Sequence, residues 1–432
     1  MKKNRIFFTL GAISIIIFSL YFSVRLKSSK QAKQPYLTVV GPLLMADGLG
    51  RQAAELIDIL KDDLTIGYKS SNDVATMEAA PPGILQILKN RKAPMGKVIV
   101  YEDFLGIEGL SFKDSIKGIK NPENIRIAYS MFESSLIPPE WVVALNHYFD
   151  VVAVPDQFLV DSYKNSGVTI PIFVLPLGLN LEQWLNAPLK KEKKSPMIFA
   201  NLSAALPRKN QLKLIEAFYQ AFGNSQDVRL QLNSRSGEEQ TIEDIKNKIR
   251  HLGTTNITFT EMRMDKDLYF KIFQNVDCYV SLSSGEGFSI QPREAMALGI
   301  PVVITDNTGQ STICRSTLGR TVPSRNLIPA FYPGLKNYYG LFQDCTTEDA
   351  AQALQDVYNN YDYYLQQGPA ARSWVKQGSY DQLKPLYLGL IKPKKIVLGA
   401  INKITPDCLF TDSEELCEKF HRLVGIPFED QR

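Results

Sequence analysis

Residues 283–303, SSGEGFSIQPREAMALGIPVV, decide the fold of this chain. An apolar run of strand character at 276–282 comes first, and a loop with two glycines at 283–287 follows it. A helix is predicted from about 291 to 298, because proline is tolerated in a first helical turn and a glycine and a proline end the segment. A second apolar run then begins. The pattern predicts the strand–loop–helix–strand unit of a parallel α/β domain.

Two acidic residues and three backbone amides carry the chemistry of this unit. Glu286 lies in the loop and Glu294 about one turn into the helix, with seven residues between them. The amides of Gly287, Phe288 and Ser289 are expected at the helix N-terminus, which is a favourable place for an anion. Carboxylates accept hydrogen bonds from hydroxyl groups, and amides bind phosphate oxygens. The arrangement therefore suits a nucleotide sugar.

The segment EGFSIQPREAMALGIPVV resembles the E-x7-E segment of the family 4 ("group 1") glycosyltransferases. The resemblance implies the GT-B fold, in which two Rossmann-like domains face a cleft, and retaining transfer from a nucleotide-diphosphate sugar. It also implies that Glu286 holds sugar hydroxyls and that Glu294 holds the nucleotide ribose. The alternative is a helix N-terminus with two ordinary acidic residues, which the helix dipole favours.

Length and composition indicate a globular protein of two domains. The chain has 432 residues, of which 44% are hydrophobic and 22% charged. Its five cysteines are scattered without the spacing of metal ligands, and it has only three histidines. We therefore expect no metal site and no dense disulfide framework.

The basic charge is concentrated at the N-terminus. The first 34 residues hold seven lysines and arginines and no acid, so the net charge of +4 leaves −3 for the rest. The rest of the chain therefore lacks the basic surface that nucleic-acid binding requires.

Residues 6–24 form an uncharged apolar run long enough to span a bilayer, without a clear cleavage site. We expect 1–35 to be a single-pass membrane anchor with a basic linker, the alternative being a cleaved signal. Basic residues flank both ends of the run, so orientation stays open.

The first soluble domain is predicted at 36–186. Its opening strand at 36–40 leads into a loop containing Gly50 and Arg51 and then a helical pattern at 52–60. The loop lacks G-x-G-x-x-G, which argues against a dinucleotide cofactor. The resemblance implies that this loop, including Gly50, faces the acceptor or the donor phosphate in the cleft. Arg51 either serves there or is a solvent-exposed residue at a helix start.

Glu133 follows a predicted strand at 125–129, where ligand-facing residues of α/β sheets gather. Many members of the resembling family carry a histidine in this region, and Glu133 stands in a comparable place. It is a candidate for contact with the acceptor or for acid–base catalysis. Alternatively it caps the next helix. Leu177 also stands where many members have histidine.

The second domain is predicted at 187–370, after a linker at 187–196 rich in charge and proline. Its first strand leads to the sequence PRKN and a helix at 211–222. This loop resembles the one in which basic side chains clamp the donor diphosphate, which gives Arg208 and Lys209 that role. The alternative is a solvated basic turn. The family often has another arginine a few residues earlier, and this chain has none there.

The C-terminal part is predicted to be helical at 350–365 and 371–388. By analogy with GT-B proteins, residues 371–392 are expected to cross back to the first domain, and 393–432 form a tail of unassigned role.

Together these features predict a membrane-anchored, metal-independent, retaining glycosyltransferase of the hexosyltransferase kind. It needs no cofactor beyond the donor substrate, and its acceptor is a carbohydrate, a lipid or a protein. One alternative is a sugar-nucleotide epimerase or hydrolase of the same fold. Another is a membrane-anchored protein that binds nucleotide sugars without catalysis.

Overall fold

The computed structural model describes residues 34–42, 48–70, 82–89, 94–103, 105 and 124–392. The predicted anchor at 6–24 and the tail at 393–432 lie outside these residues, so the expectations about them stay predictions. Among the helices of the described residues, none combines the length and the apolar character that crossing a membrane requires.

The first domain is built on six parallel strands in the order β2-β1-β3-β4-β5-β6. The strands are β1 Leu37–Gly41, β2 Ile66–Ser70, β3 Val98–Tyr101, β4 Ile125–Tyr129, β5 Val151–Val154 and β6 Ile172–Val174. The helices described here are α1 Gly48–Leu60, α2 Leu85–Lys89, α3 Pro139–Tyr148, α4 Gln157–Asn165 and α5 Glu182–Asn186. Alternate residues of β5 belong to two different apolar clusters, which explains why this strand is apolar throughout.

The second domain repeats this architecture with six parallel strands in the order β12-β11-β10-β7-β8-β9. The strands are β7 Met197–Asn201, β8 Val228–Ser234, β9 Ile257–Glu261, β10 Cys278–Ser281, β11 Val302–Asp306 and β12 Arg320–Pro323. The helices that accompany them are α6 Gln211–Phe222, α7 Glu239–Leu252, α8 Lys266–Asn275, α9 Ile290–Ala297 and α10 Ser311–Cys314. The predicted α/β class with two Rossmann-like halves is confirmed. The exact domain boundaries stay predictions.

The central unit forms as its sequence indicates. Strand β10 leads through a loop into α9, and β11 follows and pairs with β10 in parallel. Pro292 is the third residue of the helix, and Gly299 adopts a left-handed φ of 71° just beyond its end. Residues 292–297 of α9 are all buried. The helix therefore has no solvent-facing stripe, and its N-terminus is held inside the protein.

Strand order in the second sheet determines where a ligand is expected. The order reverses between β7 and β10, and ligands of open α/β sheets bind outside the carboxyl ends of the strands at such a point. The loops that leave these two strands carry the PRKN sequence and Glu286, respectively. Topology thus brings together two segments that are about 80 residues apart in the chain.

An antiparallel hairpin, which the sequence analysis did not predict, interrupts the parallel pattern after β12. It consists of β13 Asn326–Tyr332 and β14 Asn337–Asp344, joined by a turn at Pro333–Leu335. It reaches the first domain, because Ser134 Oγ donates a 2.6 Å hydrogen bond to the carbonyl of Tyr339. Phe132 also stacks on Tyr332 with ring centroids 4.6 Å apart.

The C-terminal region contains four helices where two were expected. They are α11 Thr347–Asn359, α12 Tyr361–Gln366, α13 Gly368–Lys376 and α14 Tyr380–Ile391. Proline in the first turn of α13 starts a new helix, and Gly378 separates α13 from α14. Helix α14 lies on the first domain, where Lys384 pairs with Asp63 at 2.5 Å and Tyr387 donates to the carbonyl of Pro176 at 2.9 Å.

Candidate active site

A cavity of about 370 Å³ lies between the two domains. The first domain contributes residues that follow the carboxyl ends of its strands, together with parts of its later loops and helices. These residues are Asp103, Tyr129, Ser130, Met131, Glu133, Trp141 and Leu177. The second domain contributes Ala204, Leu206, Arg208, Lys209, Ser236, Ser281 and residues 286–292. Of the predicted site residues, those that line this cavity are Glu133, Arg208, Lys209, Glu286, Gly287, Phe288 and Ser289, whereas Glu294 does not line it.

The carboxylate of Glu286 lies at the centre of the charged wall. It is ion-paired with the ammonium of Lys209, it lies 3.4 Å from the Arg208 guanidinium, and it accepts a 2.7 Å hydrogen bond from Ser283. Burial alone would raise the pKa of Glu286, but the two cations outweigh burial and lower that pKa to about 2. Glu286 is therefore an anion across the physiological range.

Arg208 and Lys209 sit on a short 3₁₀ turn, Pro207–Lys209, that precedes α6. The following residue, Asn210, adopts a left-handed φ of 54° and donates from Nδ2 to the carbonyl of Leu282 at 2.8 Å. This bond ties the basic turn to the end of β10. Burial lowers the pKa of Lys209, although Glu286 opposes the shift. The alternative of a solvated basic turn is wrong, because side-chain exposure is only 16% for Arg208 and 14% for Lys209.

Glu133 faces these cations from the first domain. Its carboxylate accepts a 2.7 Å hydrogen bond from Arg208, which also donates to the carbonyl of Gly285 at 2.8 Å. The alternative that Glu133 caps the next helix is wrong: the residue before α3 is Pro138, and that end has no side-chain cap. Arg208 therefore bridges a loop of each domain across the cleft.

The start of α9 forms the floor of the cavity. Gly287, Phe288 and Ser289 all line it, and Ser289 has a left-handed φ of 68°. The turn at Thr308–Gln310 holds the loop in place, because Gly309 N donates to the carbonyl of Glu286 at 2.9 Å. In return Glu286 N donates to Thr308 Oγ1 at 2.8 Å. The backbone before the helix is thus fixed by its own hydrogen bonds.

Glu294 occupies a different position from Glu286. It is fully buried, and it is not among the residues that line the cavity. Its carboxylate accepts a 2.7 Å hydrogen bond from Arg51 and a 2.6 Å bond from the hydroxyl of Tyr269. Arg51 also pairs with Glu55, so the alternative of a solvent-exposed arginine is wrong. Gly50 lies in the first turn of α1, and its predicted place near the donor stays a prediction.

Sequence reasoning did not find most of the wall that the first domain contributes. Asp103 follows β3, and Tyr129 and Ser130 lie at the end of β4, which is where α/β sheets present ligand-facing residues. That position in the sheet was the available signal. On the opposite wall, Gln291 is oriented by two bonds: it accepts from Tyr279 and donates to the carbonyl of Leu202, both at 2.8 Å.

A group of three or more histidine, cysteine or acidic residues suited to a metal ion is absent from the ranges described above. Among the residues that line the cavity, Arg208 and Lys209 are the arginine and the lysine.

Residues 183–326 match the model of the family described as glycosyl transferases group 1. The matched segment covers the basic turn, the Glu286 loop and α9. The similarity to this family thus lies in the segment that carries the candidate site. No curated protein matches the chain by sequence.

Solved structures of glycosyltransferases are similar to the chain in fold. A glycosyltransferase from Rickettsia africae ESF-5 is 18% identical, with a TM-score of 0.60 over 85% of this chain and 99% of that one. HepE of Anabaena, solved in complex with UDP-glucose, is 14% identical, with a TM-score of 0.58 and coverage of 85% and 99%. TarM of S. aureus is 15% identical, with a TM-score of 0.53, and covers 68% of this chain. The chain spans 55% of TarM. At these identities the likeness establishes the GT-B fold alone.

Proposed function

We propose that the protein transfers a sugar from a nucleotide-diphosphate sugar to an acceptor bound on the first-domain side of the cleft. The observation that carries this proposal is the meeting of Arg208, Lys209 and Glu286 at the start of α9 inside one cavity. The complex of HepE with UDP-glucose supports uracil as the base of the donor nucleotide.

The positive charge is placed where a diphosphate leaving group needs it. Arg208 and Lys209 would bind its oxygens, and the amides of Gly287 and Phe288 would add uncharged donors. Such groups stabilise negative charge that develops on the leaving group during transfer. Because Lys209 now pairs with Glu286, an incoming diphosphate would share this cation with the carboxylate. Glu286 would then accept hydrogen bonds from the hydroxyls of the sugar.

The remaining roles follow from position. Glu133 would contact the acceptor, since it faces the cations from the first domain at 2.7 Å from Arg208. Glu294 would hold the ribose once Arg51 has left it, and Gly50 would lie near the same end of the donor.

We propose retention of the anomeric configuration from the family resemblance. The NMR signal of the product's anomeric proton tests it. Metal independence is proposed because the cations of the cavity wall supply the charge, and EDTA should leave transfer intact.

Donor binding tests the proposal without knowledge of the acceptor. UDP-, GDP- and ADP-glucose are added to the full-length protein in detergent, and the unfolding temperature is recorded, because a ligand that binds the folded state stabilises it. At least one donor should raise this temperature in the wild type. Lys209→Ala should reduce the affinity about tenfold or more, since one hydrogen bond to a charged group contributes about 1.5–3 kcal/mol.

Lys213→Ala is the matched control. Lys213 lies one turn further along, pairs with Asp344 and is 19% exposed, close to the 14% of Lys209, yet it does not line the cavity. Equal donor affinity in the Lys209 variant and the wild type would contradict the proposal. Consumption of donor without any acceptor would instead favour an epimerase or a hydrolase.

A further inference from the structure

The outward face of the β13–β14 hairpin is apolar, although it faces solvent. Residues 327, 329 and 331 alternate with buried or half-buried neighbours, and the register places Leu341 opposite Pro329 and Tyr338 opposite Phe331. Leu327 and Tyr338 are each 61% exposed, Phe331 41% and Leu341 39%. We call these four side chains and Pro329 the outer hairpin face.

The opposite face of the hairpin already provides its attachment to the protein. Ala330, Tyr339 and Phe342 are buried there, and Tyr332 stacks on Phe132 of the first domain. A strand with one buried face normally presents polar residues on the other. The outer hairpin face departs from this rule on both strands, and Leu136 of the neighbouring loop adds a further side chain that is 38% exposed. An apolar patch of this kind marks an interaction surface.

The charges within the hairpin itself favour one kind of partner, although Glu140 of α3 accepts a 3.1 Å hydrogen bond from Tyr339 on the opposite face. From 324 to 344 the chain has two basic residues, Arg325 and Lys336, both exposed, and one acid, Asp344. Lys213 and Asn210 of the second domain already bind that acid. The face is thus aromatic and aliphatic with basic residues at its base and at its tip. Aromatic side chains beside lysine and arginine are typical of segments that lie at the interface of an anionic membrane.

The extent of the outer hairpin face argues against a second copy of the chain. A complete aromatic side chain buries about 150–250 Å², so the partly exposed residues of this face provide only several hundred Å². A standard protein interface needs about 800 Å² from each partner. Shallow contact with a lipid surface has no such requirement.

We propose that the outer hairpin face inserts its aromatic and aliphatic side chains into the headgroup region of an anionic lipid bilayer. The predicted anchor at 6–24 would hold the protein at the same bilayer. The segment 25–33 extends at most about 3.3–3.6 Å per residue, or roughly 30 Å, so the folded domains stay within reach of the surface. This inference does not depend on the proposed glycosyl transfer, and it gives the folded part of the chain its own contact with lipid.

Two tryptophan variants test the proposal in the full-length protein. Tyr338→Trp places an indole on the outer hairpin face, and Tyr363→Trp is its matched control on α12, where Tyr363 is 62% exposed. Each variant is reconstituted into vesicles of phosphatidylglycerol and phosphatidylcholine whose acyl chains are brominated. The tryptophan fluorescence of the wild type is subtracted from that of each variant. We expect brominated lipid to quench the fluorescence of the new indole at 338 and to leave that of the indole at 363 unquenched.

Two outcomes would overturn the proposal. Unquenched emission at 338, or equal quenching at both positions, would show that the hairpin has no specific contact with lipid. A dimer of the full-length protein in detergent that Tyr338→Ser dissociates would assign the outer hairpin face to a second copy instead. Tyr338→Ser is a surface change that leaves the buried face of the hairpin intact, so loss of folding does not complicate this result.

Discussion

Glu102 is a carboxylic acid in the interior of the first domain. It follows β3, it is fully buried, and neither of its carboxylate oxygens has a hydrogen bond to a residue that the structure describes. Burial raises its pKa from 4.5 to about 8. The carboxyl group is therefore protonated and neutral at neutral pH, which avoids the cost of a buried unpaired charge.

Replacing this acid should change how stability depends on pH. In the unfolded chain Glu102 loses its proton near pH 4.5, whereas the folded protein retains it up to about pH 8. The folded state then binds more protons between these values, so this group lowers the free energy of unfolding progressively as pH rises through the window. Glu102→Gln should match the wild type near pH 4.5 and exceed it at pH 8.5, by an amount on the order of several kcal/mol.

Urea unfolding at the two pH values measures this difference. Glu192→Gln, an exposed substitution in the linker, is the control and should leave the difference between pH 4.5 and pH 8.5 unchanged. A Glu102 variant that follows the wild type at both values would show that the acid is ionised in the folded protein.

At the scale of elements, the loop before α9 depends on close contact between backbones. A Cβ atom on Gly285 would lie 2.3 Å from the carbonyl oxygen of Glu133 and 2.8 Å from the ring of Phe342. Glycine at this position lets the Glu286 loop approach the first domain and the hairpin together.

Gly285→Ala should therefore push the loop away from Glu133. Overpacking of this kind costs about 1–3 kcal/mol of stability, and displacement of Glu286 should weaken donor binding as well. The measurement is the shift in unfolding temperature with and without UDP-glucose. Gly334→Ala is the control, because a Cβ atom there meets nothing within 4 Å. Identical behaviour of the two variants would contradict the close contact.

Elements with a strong local signal could be predicted from the sequence. The strands β10 and β11 are apolar runs buried on both faces, and α9 has proline at its start and glycine beyond its end. The hairpin could not be predicted, because it packs on Phe132 and bonds to Ser134, which lie some 200 residues earlier. The break between α13 and α14 depends on one glycine in an otherwise continuous helical pattern.

Across the whole molecule, two partly buried ion pairs connect the domains. Arg51 of the first domain binds Glu294 of the second at 2.7 Å, and Arg208 of the second binds Glu133 of the first at the same distance. Burial alone would lower the pKa of Arg51, but Glu294 and Glu55 outweigh burial and raise it, so the pair stays charged. These contacts hold the cleft closed in this structure.

Arg51→Met should release this closure. Removing one member of a buried pair leaves an uncompensated charge, which costs about 3–5 kcal/mol. We expect faster hydrogen exchange of the amides of residues 283–289, because the neighbouring domain no longer covers them. Arg126→Met is the matched control: Arg126 is also 18% exposed, but it pairs with Asp150 inside the first domain.

The control should lose stability without faster exchange in residues 283–289. Equal exchange in the two variants would show that the Arg51–Glu294 pair does not govern closure.

The donor side of the candidate site could be predicted from the sequence, whereas its pairing across the cleft could not. Glu286, Arg208 and Lys209 belong to short motifs beside predicted strands, so local patterns identify them. The burial of Glu294 depends on Arg51, which lies 243 residues earlier and reaches it only through tertiary packing. Apart from Glu133, the first-domain wall was not predicted, because residues such as Asp103, Tyr129 and Leu177 come together only at the shared edge of the sheet.

Helix α14 has a consequence for biosynthesis. Its residues Tyr380, Leu386 and Tyr387 belong to the same apolar cluster as Leu37 and Ala53 of the first domain. That cluster stays incomplete on the ribosome until α14, Tyr380–Ile391, has been translated. A fragment that ends at the linker would therefore emerge with this apolar flank uncovered, and exposed apolar surface attracts chaperones and proteases.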